Sequence, residues 1–215
     1  VIYQPPMKPY LDEVYHDEDV LVLNKPSGLL SVPGRKQAHK DSLQSRAQES
    51  HPTATTVHRL DMETSGLIVM ALNKASHVSL SRQFEQRQVE KQYIARVYGH
   101  LARESGVIEA PLICDWPNRP KQMVDDEKGK KALTHWSVLD KEEFTTLVQL
   151  KPVTGRSHQL RVHMLHIGHP IVGDQLYAEG DALAWSDRLE LHSQQLKFIH
   201  PVSAQEMDFN LAAAF

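Results

Sequence analysis

His58-Arg59-Leu60-Asp61-Met62-Glu63-Thr64-Ser65-Gly66, followed at once by Leu67-Ile68-Val69-Met70-Ala71-Leu72, sets a cation, a carboxylate and a turn directly ahead of an unbroken apolar run. The run is long enough for a strand inside a sheet and too short for the core of a helix. Thr64 and Ser65 are short turn-forming residues, and Gly66 tolerates backbone that other residues avoid. Asp61 therefore stands in a loop leading into the interior, where a carboxylate is shielded from bulk water without being lost in the core. Spacing alone leaves two readings open. Asp61 is a functional acid, or it caps a turn with Arg59 as its surface partner, because structural ion pairs have the same look.

Bulk properties narrow the classes. A chain of 215 residues supports one sizeable core, or one domain divided into two lobes, and leaves no room for a large appended RNA-binding domain. The composition, 40% hydrophobic and 24% charged, is that of a globular protein, with no repeat or low-complexity tract. The longest apolar run is far short of a membrane span, and Asp12, Glu13, Asp17, Glu18 and Asp19 stand where a basic leader would be. One cysteine, Cys114, excludes an internal disulfide and a thiol zinc site. These features lead us to expect a cytoplasmic protein. The net charge of -3 argues mildly against nucleic acid, but its distribution matters more. Phe144 to Gly173 holds no Asp or Glu, while Lys151, Arg156, Arg161, His158, His163, His166 and His169 lie there. A second acid-free stretch runs from Thr64 to Phe84 with Lys74 and Arg82, so two basic stretches brought together would give a local positive groove.

Along the chain, residues 1–19 read as an extended arm and 20–215 as a single catalytic domain of two lobes around a cleft. Val20 to Leu23 is a first strand, with a turn-rich loop after it at Asn24-Lys25-Pro26-Ser27-Gly28 and a helix from Asp41 to about Glu49. Lys74 to Gln88 is helical, with Leu80 and Phe84 one turn apart. Lys91 to Gly99 alternates as a strand, placing Tyr93, Ala95 and Val97 on one face; by pattern alone Tyr93 is a core tyrosine. Cys114 to Gln122 is a proline-braced loop in which Trp116 offers a stacking surface and Arg119 and Lys121 offer phosphate contacts; an ordinary surface turn has the same composition. Two strands follow, at about Ala132–Leu139 and Phe144–Lys151. A helix is expected from Ser157, its cap, to Ile167, with Gly168 just past its end. Gly168 and Pro170 separate His166 from His169, and no Cys or carboxylate joins them, so no metal is expected. Leu189 to His192 is the expected final strand, followed by an apolar tail.

Three segments carry a resemblance. His58-Arg59-Leu60-Asp61 with Thr64-Ser65-Gly66, then Lys91-Gln92-Tyr93, then Gly155-Arg156-Ser157-His158-Gln159-Leu160-Arg161-Val162-His163 resemble, in order, the motifs of the RluA family of pseudouridine synthases. The likeness extends from Lys25-Pro26-Ser27-Gly28 to Leu191-His192. It implies an α+β pseudouridine synthase fold, a mixed and mainly antiparallel sheet with flanking helices and a central active-site cleft. It implies an isomerase that turns uridine into pseudouridine in structured RNA; that reaction has no redox step or outside group transfer and so requires no cofactor, and a monomer is expected. Leu29 to Arg35, the Trp116 loop and the third motif are most similar to dual-specificity members, which modify a tRNA anticodon stem-loop and 23S rRNA.

Residue by residue, the resemblance makes Asp61 the catalytic carboxylate and Arg161 the arginine that pairs with it. Tyr93 becomes the catalytic tyrosine that stacks on the base and takes the C5 proton, directly or through water, and Leu191 an apolar wall of the base pocket. Arg59 would fill the space left by a flipped base, with His58 assisting it as an RNA contact or simply structural, and Arg35, Trp116, Arg119, Lys121, Arg156 and His158 are further candidate RNA contacts. A catalytically silent RNA-binding or RNA-folding module of the same fold is the alternative, against which intact Asp61, Tyr93 and Arg161 count. A hydrolase lacks its hallmarks, since neither a Gly-x-Ser-x-Gly elbow nor a His-Glu-x-x-His helix is present.

Overall fold

A computed structural model describes residues 3–215. In chain order the elements are β1 (Glu13–His16), β2 (Val20–Lys25), α1 (Leu43–Ser50), β3 (Thr55–Thr56), β4 (Ser65–Ala71), α2 (Lys74–Glu85), β5 (Glu90–Tyr98), β6 (Ser105–Glu109), β7 (Leu112–Cys114), β8 (Gln122–Val124), β9 (Leu133–Lys141), β10 (Thr145–Pro152), α3 (Gln159–His166), α4 (Gly180–Ala184), β11 (Leu191–Ile199) and β12 (Glu206–Asn210). They form two compact units, one from the chain up to Lys91 with His192–Ala214 and the other from Gln92–Leu191. No helix among the described residues is long and apolar enough to cross a membrane.

In the first unit β4 is the organising strand, buried at every position as its unbroken apolar run requires. It pairs antiparallel with β2 and with β3, and parallel with β11 at Ser65–His192 and Gly66–Ser193. Gly66 is required there. Its φ is +109°, and a Cβ would meet the Ser193 carbonyl oxygen at 2.3 Å, so no larger residue lets β11 approach. One face of the sheet carries Val20, Val22, Leu67, Val69 and Ala71, which form a core with Leu80 of α2 and with Leu196 and Phe198 of β11. Asn73 starts α2 by accepting the Ser76 N–H, and Ser42 starts α1 in a reciprocal capping box with Ser45.

Six short strands, β1, β3, β6, β7, β8 and β12, lie outside the expected list. Glu13–His16, expected within an extended arm, pairs with β2 as β1, and Glu206–Asn210, expected within an apolar tail, pairs with β11 as β12. The rest of the arm is tied down by Arg46, which is 1% exposed. Its guanidinium holds Asp41 by two bonds of 2.7 Å and donates to the carbonyls of Pro6 and Tyr10.

The second unit is an antiparallel sheet in the order β5-β10-β9-β6 with the small hairpin β7-β8. Gln159 anchors the third motif segment. Its side chain accepts from Thr154 Oγ1 and the Arg156 N–H and donates to the Leu133 carbonyl and Thr134 Oγ1. The helix after it, α3, begins at Gln159, not at a Ser157 cap. His158 occupies the cap position with left-handed backbone, φ +53°, and makes no side-chain capping bond. Mainly antiparallel pairing, one parallel β4–β11 contact and short separate helices place the chain in the α+β class.

Candidate active site

Asp61 sits in a loop whose backbone is gripped by the Lys25–Ser31 segment. Ser31 Oγ donates to the Leu60 carbonyl at 2.7 Å and accepts the Leu60 N–H at 3.1 Å. The Met62 carbonyl takes Lys25 Nζ at 2.8 Å and the Gly28 N–H at 2.9 Å, and Ser27 Oγ donates to the Glu63 carbonyl at 2.7 Å. Lys25 is wholly buried, and its ammonium also donates to the carbonyls of Pro26 and Leu29. Residues 60, 62 and 63 are thus each fixed by a partner from one neighbouring loop, while Asp61 carries its half-buried carboxylate between them. Hydrogen bonds from a charged donor are the stronger kind, so Lys25 is a main brace of the loop and not the plain turn residue its sequence suggests.

The residues flanking Asp61 divide by exposure. Arg59 is exposed. His58 is different, and its packing favours the structural one of its two open roles. Its Nε2 accepts the Val69 N–H at 3.1 Å and its ring stacks on Phe84 with centroids 4.3 Å apart. Burial, helped by the nearby Lys91 charge, lowers its pKa to about 3, so it is a neutral wall residue behind β4. Arg35 is exposed on the loop before α1.

In the second unit Arg161 lies on the inner side of α3, 3% exposed, against Asp174, 1% exposed. Nε donates to Oδ2 at 2.8 Å and Nη2 to Oδ1 at 2.6 Å, the planar two-pronged fit of guanidinium to carboxylate. Asp174 also accepts the Leu176 N–H, which fixes the turn that presents it. The preceding Gly173 has φ +70° and room for no side chain, since a Cβ would meet the Arg188 carbonyl oxygen at 2.0 Å. The Arg161 guanidinium carbon also lies 5.1 Å from the centre of the Tyr177 ring. Tyr177 Oη bonds to His158 Nδ1 at 2.6 Å and accepts the Gln122 N–H at 2.8 Å.

Tyr93, on β5 opposite Leu150, and Leu191 are both buried. The Trp116 loop is a hairpin tip between β7 and β8, with Trp116 66% exposed and the Arg119 guanidinium stacked 4.2 Å from its ring centre. Arg156 is exposed and Lys121 half-buried. An open cavity of about 600 Å³ is lined by Lys121, Gln122 and Tyr177 among others, but not by Asp61, Tyr93 or Arg161.

His163 is committed to structure. Nδ1 meets Thr134 Oγ1 at 2.8 Å and Nε2 meets the Ala110 carbonyl at 2.9 Å, while burial lowers its pKa. Among the described residues, Glu13, His16 and His51 form one group close enough for a metal ion and Asp17, Asp19 and His200 another. In the first, Glu13 already takes both imidazoles; in the second, Asp17 takes His200 and Asp19 holds Asn73 and Ser76.

Three partners in these networks are absent from the sequence reading. Lys25 was visible in its loop, but nothing local shows its charge facing the Met62 carbonyl 37 residues away. Asp174 is the first acid after the acid-free stretch, and Tyr177 follows it by three residues. That Gly-Asp turn was the available signal.

Comparison with known proteins shows which family the chain resembles. The family model described as RNA pseudouridylate synthase matches residues 19–166. A protein of Salmonella typhi named dual-specificity RNA pseudouridine synthase RluA is 55% identical over 214 residues, covering 99% of this chain and 98% of that one. The protein of the same name from Escherichia coli K12 is 53% identical with the same coverage. The solved structure of human RNA pseudouridylate synthase domain containing 1 superposes with a TM-score of 0.82 at 31% identity, covering 99% of this chain and 87% of that one. The chain belongs to the RNA pseudouridylate synthase family, isomerases that convert uridine to pseudouridine in RNA.

Proposed function

We propose that this pseudouridine synthase has dual specificity, acting on the tRNA anticodon stem-loop and on 23S rRNA, with Asp61 as its catalytic carboxylate. Identity above 50% over nearly the whole length to relatives named for dual specificity supports the substrate reading. The backbone clamp around Asp61 is the single structural observation that supports the catalytic one.

The isomerisation breaks the bond from N1 to C1′, turns the base and forms the bond from C5 to C1′. The C5 proton leaves and N1 gains one, so atoms and charge balance without oxidant or cofactor. A carboxylate can attack C1′, add to C6 of the base, or remove the C2′ proton to give a glycal, and Asp61 has the chemistry for each. In this reading Arg161 pairs with that carboxylate, Tyr93 stacks on the base and leads away the C5 proton, and Leu191 walls the pocket. The target base is reached by extrusion from its stack, at a cost of about a few kcal/mol, and exposed Arg59 occupies the vacated space. Arg35, Trp116, Arg119, Lys121, Arg156 and His158 contribute charge and stacking to the RNA around it.

The test is incubation of the purified protein with a tRNA transcript and a 23S rRNA fragment, followed by mapping of pseudouridines. Single modified uridines in both RNAs are expected. Modification of only one RNA would overturn dual specificity while leaving the isomerase intact.

A further inference from the structure

Tyr177 joins three segments that separate functions occupy. Its hydroxyl accepts the N–H of Gln122, the first residue of β8 and three beyond Arg119 at the hairpin tip. The same oxygen bonds to Nδ1 of His158, which caps α3, and the ring lies beneath the guanidinium of Arg161, three residues further along. A phenol has one proton to give and can accept as well, so both hydroxyl partners are served at once.

The packing beneath this link is continuous. Leu112 of β7, Ala132 and Val162 form a small buried cluster, closed by Val124 of β8 and by Tyr177 itself. Val162 directly follows Arg161 in α3. The base of the hairpin and the helix that carries the arginine therefore share one close-packed core, and such cores pass on a displacement instead of absorbing it. At its other end the hairpin exposes Trp116 with Arg119 stacked upon it, a flat cationic surface suited to a base and its phosphate.

We propose that Tyr177 is a positioning residue that ties RNA contact at the Trp116–Arg119 tip to the orientation of Arg161. This rests on the roles given above to Arg161 and the hairpin. RNA that steadies the tip steadies Gln122, the Gln122 N–H fixes the phenol, and the phenol ring fixes the plane of the guanidinium. A hairpin detached from that hydroxyl still binds RNA but no longer sets the arginine.

The experiment is a double-substitution cycle in kcat and RNA Kd on a modified stem-loop, with wild type, Tyr177→Phe, Arg119→Ala and the double variant. Tyr177→Phe keeps the ring over Arg161 and removes only the hydroxyl. Its kcat is expected to fall about tenfold with Kd within about twofold of wild type, and adding Arg119→Ala is expected to weaken binding with no further loss of kcat. Unchanged kcat in Tyr177→Phe, or losses of kcat that multiply independently, would overturn the coupling, as would reduced thermal stability with full turnover. Arg161→Lys is measured alongside. Full activity there would refute the role of Arg161 itself, whereas an indispensable Arg161 beside an indifferent Tyr177 would refute the coupling alone.

Discussion

Arg161 and Asp174, thirteen residues apart in sequence, meet as a two-bonded ion pair with both side chains closed off from solvent. A buried pair of this kind is costly to break from one side, because the remaining charge keeps its desolvation penalty. Asp174→Ala is expected to lower stability by about 3–5 kcal/mol and to reduce turnover at temperatures where the variant is still folded. Urea unfolding alongside single-turnover rates checks this, and a variant of wild-type stability would refute the tight pairing.

Lys25 braces the Asp61 loop from a fully buried position, donating to three carbonyls. Lys25→Met keeps the length and apolar stem but leaves those carbonyls short of a donor. Unfolding free energy is expected to fall by roughly 3–6 kcal/mol, since bonds to a charged donor are worth about 1.5–3 kcal/mol each and, with the Gly28 N–H still serving Met62, two carbonyls lose theirs. The rate is expected to fall more than RNA affinity does, which a kcat and Kd comparison measures.

His58 has a pKa of about 3 in the folded protein against 6.5 for a free imidazole, chiefly through burial. Between those values the unfolded chain binds a proton that the folded chain refuses, so stability rises with pH across that window. The contribution is complete above pH 6.5 and is lost as pH falls toward 3, on the order of a few kcal/mol in all. In His58→Gln, which can still accept the Val69 N–H, the slope of unfolding free energy against pH should flatten by up to one proton. An unchanged slope would mean that the imidazole titrates normally.

Arg59 is exposed beside Asp61, and Arg59→Ala is expected to leave the melting curve unchanged while slowing turnover on a folded stem-loop. The loss should shrink on an unstructured RNA of the same sequence, where the base needs no extraction. Equal rates for variant and wild type on the folded RNA would remove Arg59 from the flipping step.

The readable parts of this chain were those whose determinants are local. β4 announced itself because its apolar run is contiguous, and α2 because Leu80 and Phe84 stand one turn apart among polar residues. β1 and β12 escaped because short strands such as Glu-Val-Tyr-His carry little pattern and exist only through pairing with β2 and β11. The same division runs through the site. The Asp61, Tyr93 and Arg161 segments are contiguous motifs, whereas Asp174 and Tyr177 gain meaning only once Gly173 turns the chain back toward α3. His58 stayed open between an RNA contact and a structural role for the converse reason. Its place in a motif says nothing about which way the ring faces, and packing on Phe84 decides that.

Asp61 as the catalytic carboxylate is put to the test by release of tritium from RNA carrying 5-tritiated uridine. Wild-type protein should release the label and Asp61→Asn, folded and still binding RNA, should release none above background. Release by Asp61→Asn at the wild-type rate would contradict the account.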